Sequence, residues 1–95
     1  MPKGYIIGHI TVRDPEAYQE YIERDTPILQ RLGGVFSVRG GQSEILEGET
    51  YARHVVIEFP SYQDALNAYH DPEYQEVAKI RQRTADSTIL VVEGV

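Results

Sequence analysis

Apolar and polar residues alternate along two well-separated runs of this chain, and those runs set the phase for what lies between them. From Arg53 to Phe59, Val55, Ile57 and Phe59 fall on one face of an extended strand, and His54, Val56 and Glu58 fall on the other. Pro60 cannot continue a central strand, and Ser61 with Asp64 three residues on forms a helix N-cap pattern. Over residues 5–12, Ile6, Gly8, Ile10 and Val12 share one face, and Tyr5, Ile7, His9 and Thr11 share the other. Both runs therefore carry apolar side chains on two faces, and each face needs cover.

Between and after these runs the spacing turns helical. Asp14-Pro15-Glu16 combines an N-cap acid, a proline at the first helical position and an acid in the first turn. Tyr18, Tyr21, Ile22, Leu29 and Leu32 then follow at helical spacing until Gly33-Gly34. Pro27 interrupts the pattern and predicts a kink, or two helical pieces with Thr26 capping the second. Val35–Arg39 is the second strand, with Phe36 and Val38 opposite Val35, Ser37 and Arg39. Gly40-Gly41 predicts a bulge or sharp bend, residues 43–47 a short strand, and Gly48 a turn. After Ser61, Leu66 and Tyr69 suit a short helix. Asp71-Pro72-Glu73 starts another, with Tyr74, Val77, Ala78 and Arg81 on one stripe, running to about Ala85. Residues 88–93 form the last strand.

The order β-α-β-β-α-β predicts an α+β, ferredoxin-like fold: a four-stranded antiparallel sheet with the helices on one face. Ile6, Ile10, Val12, Phe36, Val38, Val55, Ile57 and Phe59 would lie under the helices. Tyr5, Ile7, His9, Val35, Ser37, Arg39, His54, Val56 and Glu58 would be left bare, an apolar-leaning patch of the kind that marks an interface. The expected assembly is a homodimer, sheet facing sheet.

Composition narrows the function classes. At 95 residues the chain is one domain, residues 1–95. The net charge of −6, with Lys and Arg scattered singly, is a poor footprint for nucleic acid or an anionic membrane surface. The absence of cysteine removes disulfides, thiolate nucleophiles and cysteine metal sites. No apolar run approaches a membrane span and the opening residues do not form a signal-peptide core, so a cytoplasmic protein is expected. Glycine-rich phosphate loops and nucleophile elbows are missing.

Five runs carry a resemblance. His9-Ile10-Thr11-Val12 leads to Asp14-Pro15-Glu16-Ala17-Tyr18, and Val38-Arg39-Gly40-Gly41 is followed by Glu47-Gly48. Ile57-Glu58-Phe59-Pro60-Ser61 and Asp71-Pro72-Glu73-Tyr74-Gln75 come next. The last is Arg81-Gln82-Arg83 with Ala85-Asp86-Ser87 and Val92-Glu93-Gly94. In this order they resemble the domain of unknown function 1330 family of the dimeric α+β barrel superfamily, over nearly the whole chain. Asp71 stands where members commonly carry a small residue, and it should cap a helix at least as well. The resemblance implies a homodimer whose two sheets form a barrel. The wider superfamily includes cofactor-free monooxygenases, lactone isomerases and heme enzymes, an analogy at the level of fold.

The candidate chemistry lies on the mixed face. His9 as general base with Glu58 orienting it, and Arg39 as a clamp for a carboxylate or enolate, would suit proton abstraction next to a carbonyl. His54 would join them in ligand binding, and Tyr69 and Tyr74 would line a pocket mouth. No bound cofactor or metal is expected, although two imidazoles and Glu58 suit zinc or iron in type. The bland alternatives are a non-catalytic ligand-binding or dimerisation module in which the mixed-face groups pair across an interface, tyrosines that fill the helix–sheet layer, and Arg81 and Arg83 in local ion pairs with Asp86.

Overall fold

The computed structural model describes residues 2–95. Strand β1 (Gly4–Val12) leads to helix α1 (Pro15–Arg31), then strands β2 (Val35–Arg39) and β3 (Arg53–Phe59), helices α2 (Tyr62–His70) and α3 (Pro72–Thr84), and strand β4 (Ala85–Glu93). The sheet runs β2-β3-β1-β4, with every neighbouring pair antiparallel. The helices cover one face, giving the ferredoxin-like arrangement.

Each helix starts where its side chains cap it. Asp14 accepts from the Ala17 amide at 3.2 Å, Ser61 from Asp64 at 3.1 Å, and Asp71 from Glu73 and Tyr74 at 2.9 and 3.3 Å. Helix α1 passes through Pro27 without dividing. Pro27 faces solvent, whereas Ile28 and Leu29 beyond it are buried and hold the last turn to the core. Thr26 does not cap a new helix; its hydroxyl donates to the Ile22 carbonyl at 2.7 Å. Between the layers Leu29, Phe59 and Val77 are the largest fully buried side chains, joined by Ile6, Ile10 and Ile57 from the sheet. Gly4 is obligatory, because a β-carbon there would collide with the Ser61 carbonyl where α2 crosses β1.

Three local expectations change. Residues 43–47 form no strand: the connection from β2 to β3 is irregular and exposed, and Leu46 at 81% exposure has nothing to pack against. Strand β4 begins three residues early, at Ala85, directly after α3. The Thr84 carbonyl there accepts from the Arg13 and Asp14 amides at 2.8 and 3.1 Å, which fixes the corner. The third change matters most. The β2–β3 register slips between Phe36 and Val38: Phe36 stands opposite Ile57, yet Val38 stands opposite Val56 and Arg39 opposite Val55. This bulge at Ser37 inverts the alternation. Val38 moves to the open face, 43% exposed, and Arg39 moves under the helices. The open face otherwise has the expected character, with Val35, Val38, Leu90 and Val92 each about 40–60% exposed.

Candidate functional site

The helix-covered side holds more than an apolar core. Asp25 projects from α1, Arg39 from β2, Arg53 from β3 and Arg81 from α3, all at positions with the phase of the buried stripe or face. With Tyr18, Tyr21 and Tyr74 they form a polar cluster between α1, α3 and the sheet. At its centre lies a cavity of ≈ 30 Å³, whose walls include Tyr18, Tyr21, Asp25, Arg39, Arg53 and Tyr74. That volume takes about two waters.

Asp25 is 3% exposed. Burial pushes its carboxyl up from the ordinary 3.8 to about 6, against the opposing pull of Arg39 and the Thr26 hydroxyl. The Arg39 guanidinium reaches it at 3.2 Å, donates to Thr26 Oγ1 at 2.6 Å, and lies 4.1 Å from the Phe36 ring centre. Arg39 thus braces the β2 edge to α1 beside the cavity. Tyr21 and Tyr74 share a buried hydroxyl–hydroxyl hydrogen bond of 2.7 Å, and burial raises both phenols above the usual 10. Burial likewise raises Tyr18, whose hydroxyl sits beside the Arg53 guanidinium.

Arg81 is 3% exposed, donates to Ser87 Oγ at 2.7 Å and lies 5.7 Å from the Tyr21 ring centre. Burial pulls its pKa down, Tyr21 and Tyr74 outweigh that, and the net direction is upward. Arg53 fits under Gly40, where a β-carbon would collide with its guanidinium. Neither Arg53 nor Arg81 has a carboxylate partner among the described residues, and the Nε of each is buried without an acceptor. Asp86 pairs instead with Arg13, at 3.3 Å. The cluster offers what proton transfer needs: a carboxyl that titrates near neutrality, phenolic donors and cationic groups.

The open face is different. His9 and His54 stand directly opposite each other, with Nδ1 atoms 3.0 Å apart, so one donates and the other accepts. Glu58 is not with them. It pairs with Tyr5, whose hydroxyl donates to Oε1 at 3.4 Å, four residues along β1 and about 13 Å from His9 by strand rise. The structure therefore joins His9 to His54 and separates both from Glu58 and from Arg39. Among the described residues no group of three or more His, Asp or Glu is arranged to hold a metal ion. Tyr74 lines the cavity, whereas Tyr69 packs against it at 5.9 Å between ring centres and lines a separate shallow groove with Leu66 and Ile89.

Sequence reasoning passed over Asp25 and Arg53, and read Arg81 as a surface partner. The signal was available: Asp25 follows Tyr18, Tyr21 and Ile22 on the apolar stripe of α1, and Arg53 has the parity of Val55, Ile57 and Phe59. Charged residues in core phase mark the site.

The fold and this cluster define an α+β ferredoxin-like domain with a small cavity between sheet and helices, apolar over most of its wall and edged by the charged and phenolic groups. A family model described as Domain of unknown function (DUF1330) matches residues 3–95, and the chain belongs to that family. Among solved structures it is similar to a protein of unknown function from Rhodopseudomonas palustris, with 25% identity and a TM-score of 0.77 over 99% of this chain and 83% of that one. SnoaB, described as a cofactor-independent oxygenase from Streptomyces nogalater, shares the fold at 14% identity, with a TM-score of 0.70 over 97% of this chain and 92% of its own. A dimeric protein of unknown function and ferredoxin-like fold from Bacteroides fragilis does so at 17% identity and a TM-score of 0.56, over 96% and 95% of the two chains. No curated protein matches the chain. Among the described residues no helix is long and apolar enough to cross a membrane.

Proposed function

We propose that this chain is a small-molecule enzyme without a tightly held cofactor, moving a proton at the carbon next to a carbonyl, with Asp25 as the base. The observation that carries this reading is the buried Asp25 carboxyl, held to about 6 on the wall of a cavity that phenols and guanidinium groups surround. In the step, the Asp25 carboxylate takes the proton from carbon. The C–H electron pair becomes a C=C bond, and the carbonyl π pair moves to oxygen as an enolate beside an arginine. Return of a proton to the same carbon, as the enolate C=C pair bonds it and the oxygen pair re-forms the carbonyl, completes an exchange or epimerisation with no net oxidation. Desolvation of the carboxylate strengthens it as a base, and a pKa near the working pH keeps a substantial fraction ionised. The description of a protein of the same fold as a cofactor-independent oxygenase is in keeping with a scaffold that works without a bound cofactor.

The working unit in this reading is a homodimer formed through the open sheet face. The exposed Val35, Val38, Leu90 and Val92 support it, as does the dimeric description of a neighbour of the same fold.

The test is deuterium exchange from solvent into butanone and 2-oxobutanoate, followed by proton NMR. Exchange should rise as the pH passes through about 6, and Asp25→Asn should lower it 10²–10⁴-fold. Equal exchange by the variant, or no exchange into compounds that demonstrably bind, would sink the assignment.

A further inference from the structure

Charge within the helix–sheet layer does not balance. Three guanidinium groups, those of Arg39, Arg53 and Arg81, face one carboxyl, that of Asp25. Guanidinium does not deprotonate in proteins, so all three stay cationic whatever their surroundings. Arg39 is satisfied by Asp25 and Thr26. Arg81 is tied to Ser87 Oγ and to the Tyr21 and Tyr74 hydroxyls behind the cavity wall. Arg53 is left over: half-buried beside the Tyr18 hydroxyl, it lines the cavity and has no carboxylate partner among the described residues, and its Nε, like that of Arg81, is buried without an acceptor.

A half-buried cation with its Nε cut off from water and no counter-charge loses solvation, whereas one that meets a carboxylate in forked geometry gains a strong, oriented pair. The Arg53 guanidinium lies against Gly40, whose φ of +67° suits glycine. The rest of the wall is apolar, from Ile6, Ile10, Phe36, Val55 and Ile57.

We infer that the cavity takes a compact organic monoanion, a carboxylate with a short apolar body, and that Arg53 is its anchor. The inference rests on the cavity reading above and names its substrate class. A volume of ≈ 30 Å³ suits the charged end of such a molecule and not an extended one. The apolar body lies toward the apolar wall made by Phe36, Val55 and Ile57. Asp25 repels the anion when ionised, and the ligand's carboxylate therefore sits toward Arg53, with its carbonyl side nearer Asp25.

The probes are benzoate and 2-oxobutanoate, each matched to its uncharged amide. They are titrated into the full chain at constant ionic strength and near pH 7, with backbone amide shifts as the readout. The carboxylates should bind at least tenfold more tightly than the amides, with shifts centred on Tyr18, Asp25, Arg53 and Val55. Arg53→Gln should remove that preference, Arg53→Lys should keep part of it, and Asp25→Asn, which removes the repelling charge, should raise anion affinity. Amides that bind as well as carboxylates overturn the inference. So does an undiminished preference in Arg53→Gln, or shifts centred on His9 and His54. If Arg53→Gln fails to fold, the carboxylate–amide comparison on the native chain decides alone. Failure of the catalytic reading looks different: anions bind through Arg53, but 2-oxobutanoate shows no exchange. Conversely, exchange into butanone as fast as into 2-oxobutanoate retains the base and removes the anion requirement.

Discussion

Asp25→Asn should make this protein more stable at neutral pH. Its carboxyl is ordinary in the unfolded chain, near 3.8, and is pushed up to about 6 by burial in the native state. An acid whose native pKa is raised binds its proton more tightly when folded, so stability falls as pH rises from about 4 to about 6 and the loss is complete above that. About two pH units at roughly 1.4 kcal/mol each come to about 3 kcal/mol at pH 7. The compensating pull of Arg39 at 3.2 Å is already contained in that position, and the Arg39 side chain is 28% exposed, so it can turn to water once the charge is gone. Asparagine keeps an oxygen acceptor within reach of Arg39. The expected gain is therefore about 2–3 kcal/mol near pH 7, shrinking toward zero near pH 4. Urea unfolding of both chains across that range, at one protein concentration so that any assembly contributes equally, gives the difference in which all other titrations cancel. If the variant is less stable near pH 7 by 1 kcal/mol or more, the carboxyl is a structural partner of Arg39. A difference that does not change with pH would equally refute the reasoning. A native residue that costs stability where it stands is the mark of a functional position.

Other expectations follow from single contacts. Leu29→Ala, at 1% exposure, should lower stability by about 3 kcal/mol in the same urea assay, through lost burial and the cavity left behind. Tyr21→Phe and Tyr74→Phe should each cost about 1–2 kcal/mol, and the double variant less than the sum of the two, because both remove the same hydrogen bond of 2.7 Å. Val35→Lys with Val92→Lys should give a monomeric mass in light scattering while the thermal transition remains cooperative. A dimer that survives both charges would place the subunit contact elsewhere than the open face.

The helices and the sheet order were legible because their signals are local. Asp14-Pro15, Ser61 and Asp71-Pro72 cap in the structure as their chemistry requires, and the phases of β1 and β3 follow from alternation alone. The continuity of α1 through Pro27 was not local, since burial of Ile28 and Leu29 outweighs one missing backbone donor. The site was half legible. Tyr74 reaches the cavity, but Arg39 arrives there through a register slip that leaves no mark in composition. Asp25, Arg53 and Arg81 were readable in principle as charges in core phase; the habit of assigning charges to solvent hid them. His9 and His54 meet because β1 and β3 are neighbours, whereas Glu58, on the same face, is too far along the strand to join them.

The bulge at Ser37 makes the inventory of the cavity depend on pairing register and not only on residue identity. Deleting that one residue would keep the observed rungs, with Val38 opposite Val56 and Arg39 opposite Val55, and the guanidinium would stay inside; pairing Ser37 in register would instead turn Arg39 outward and bring Val38 in. The extra residue is thus a switch between two interiors, one braced and cationic when it bulges, the other greasy with a lone acid when it pairs. Related chains are comparable at this site only when aligned by the rungs they share with β3. Letter-by-letter alignment of β2 would match arginines that point in opposite directions.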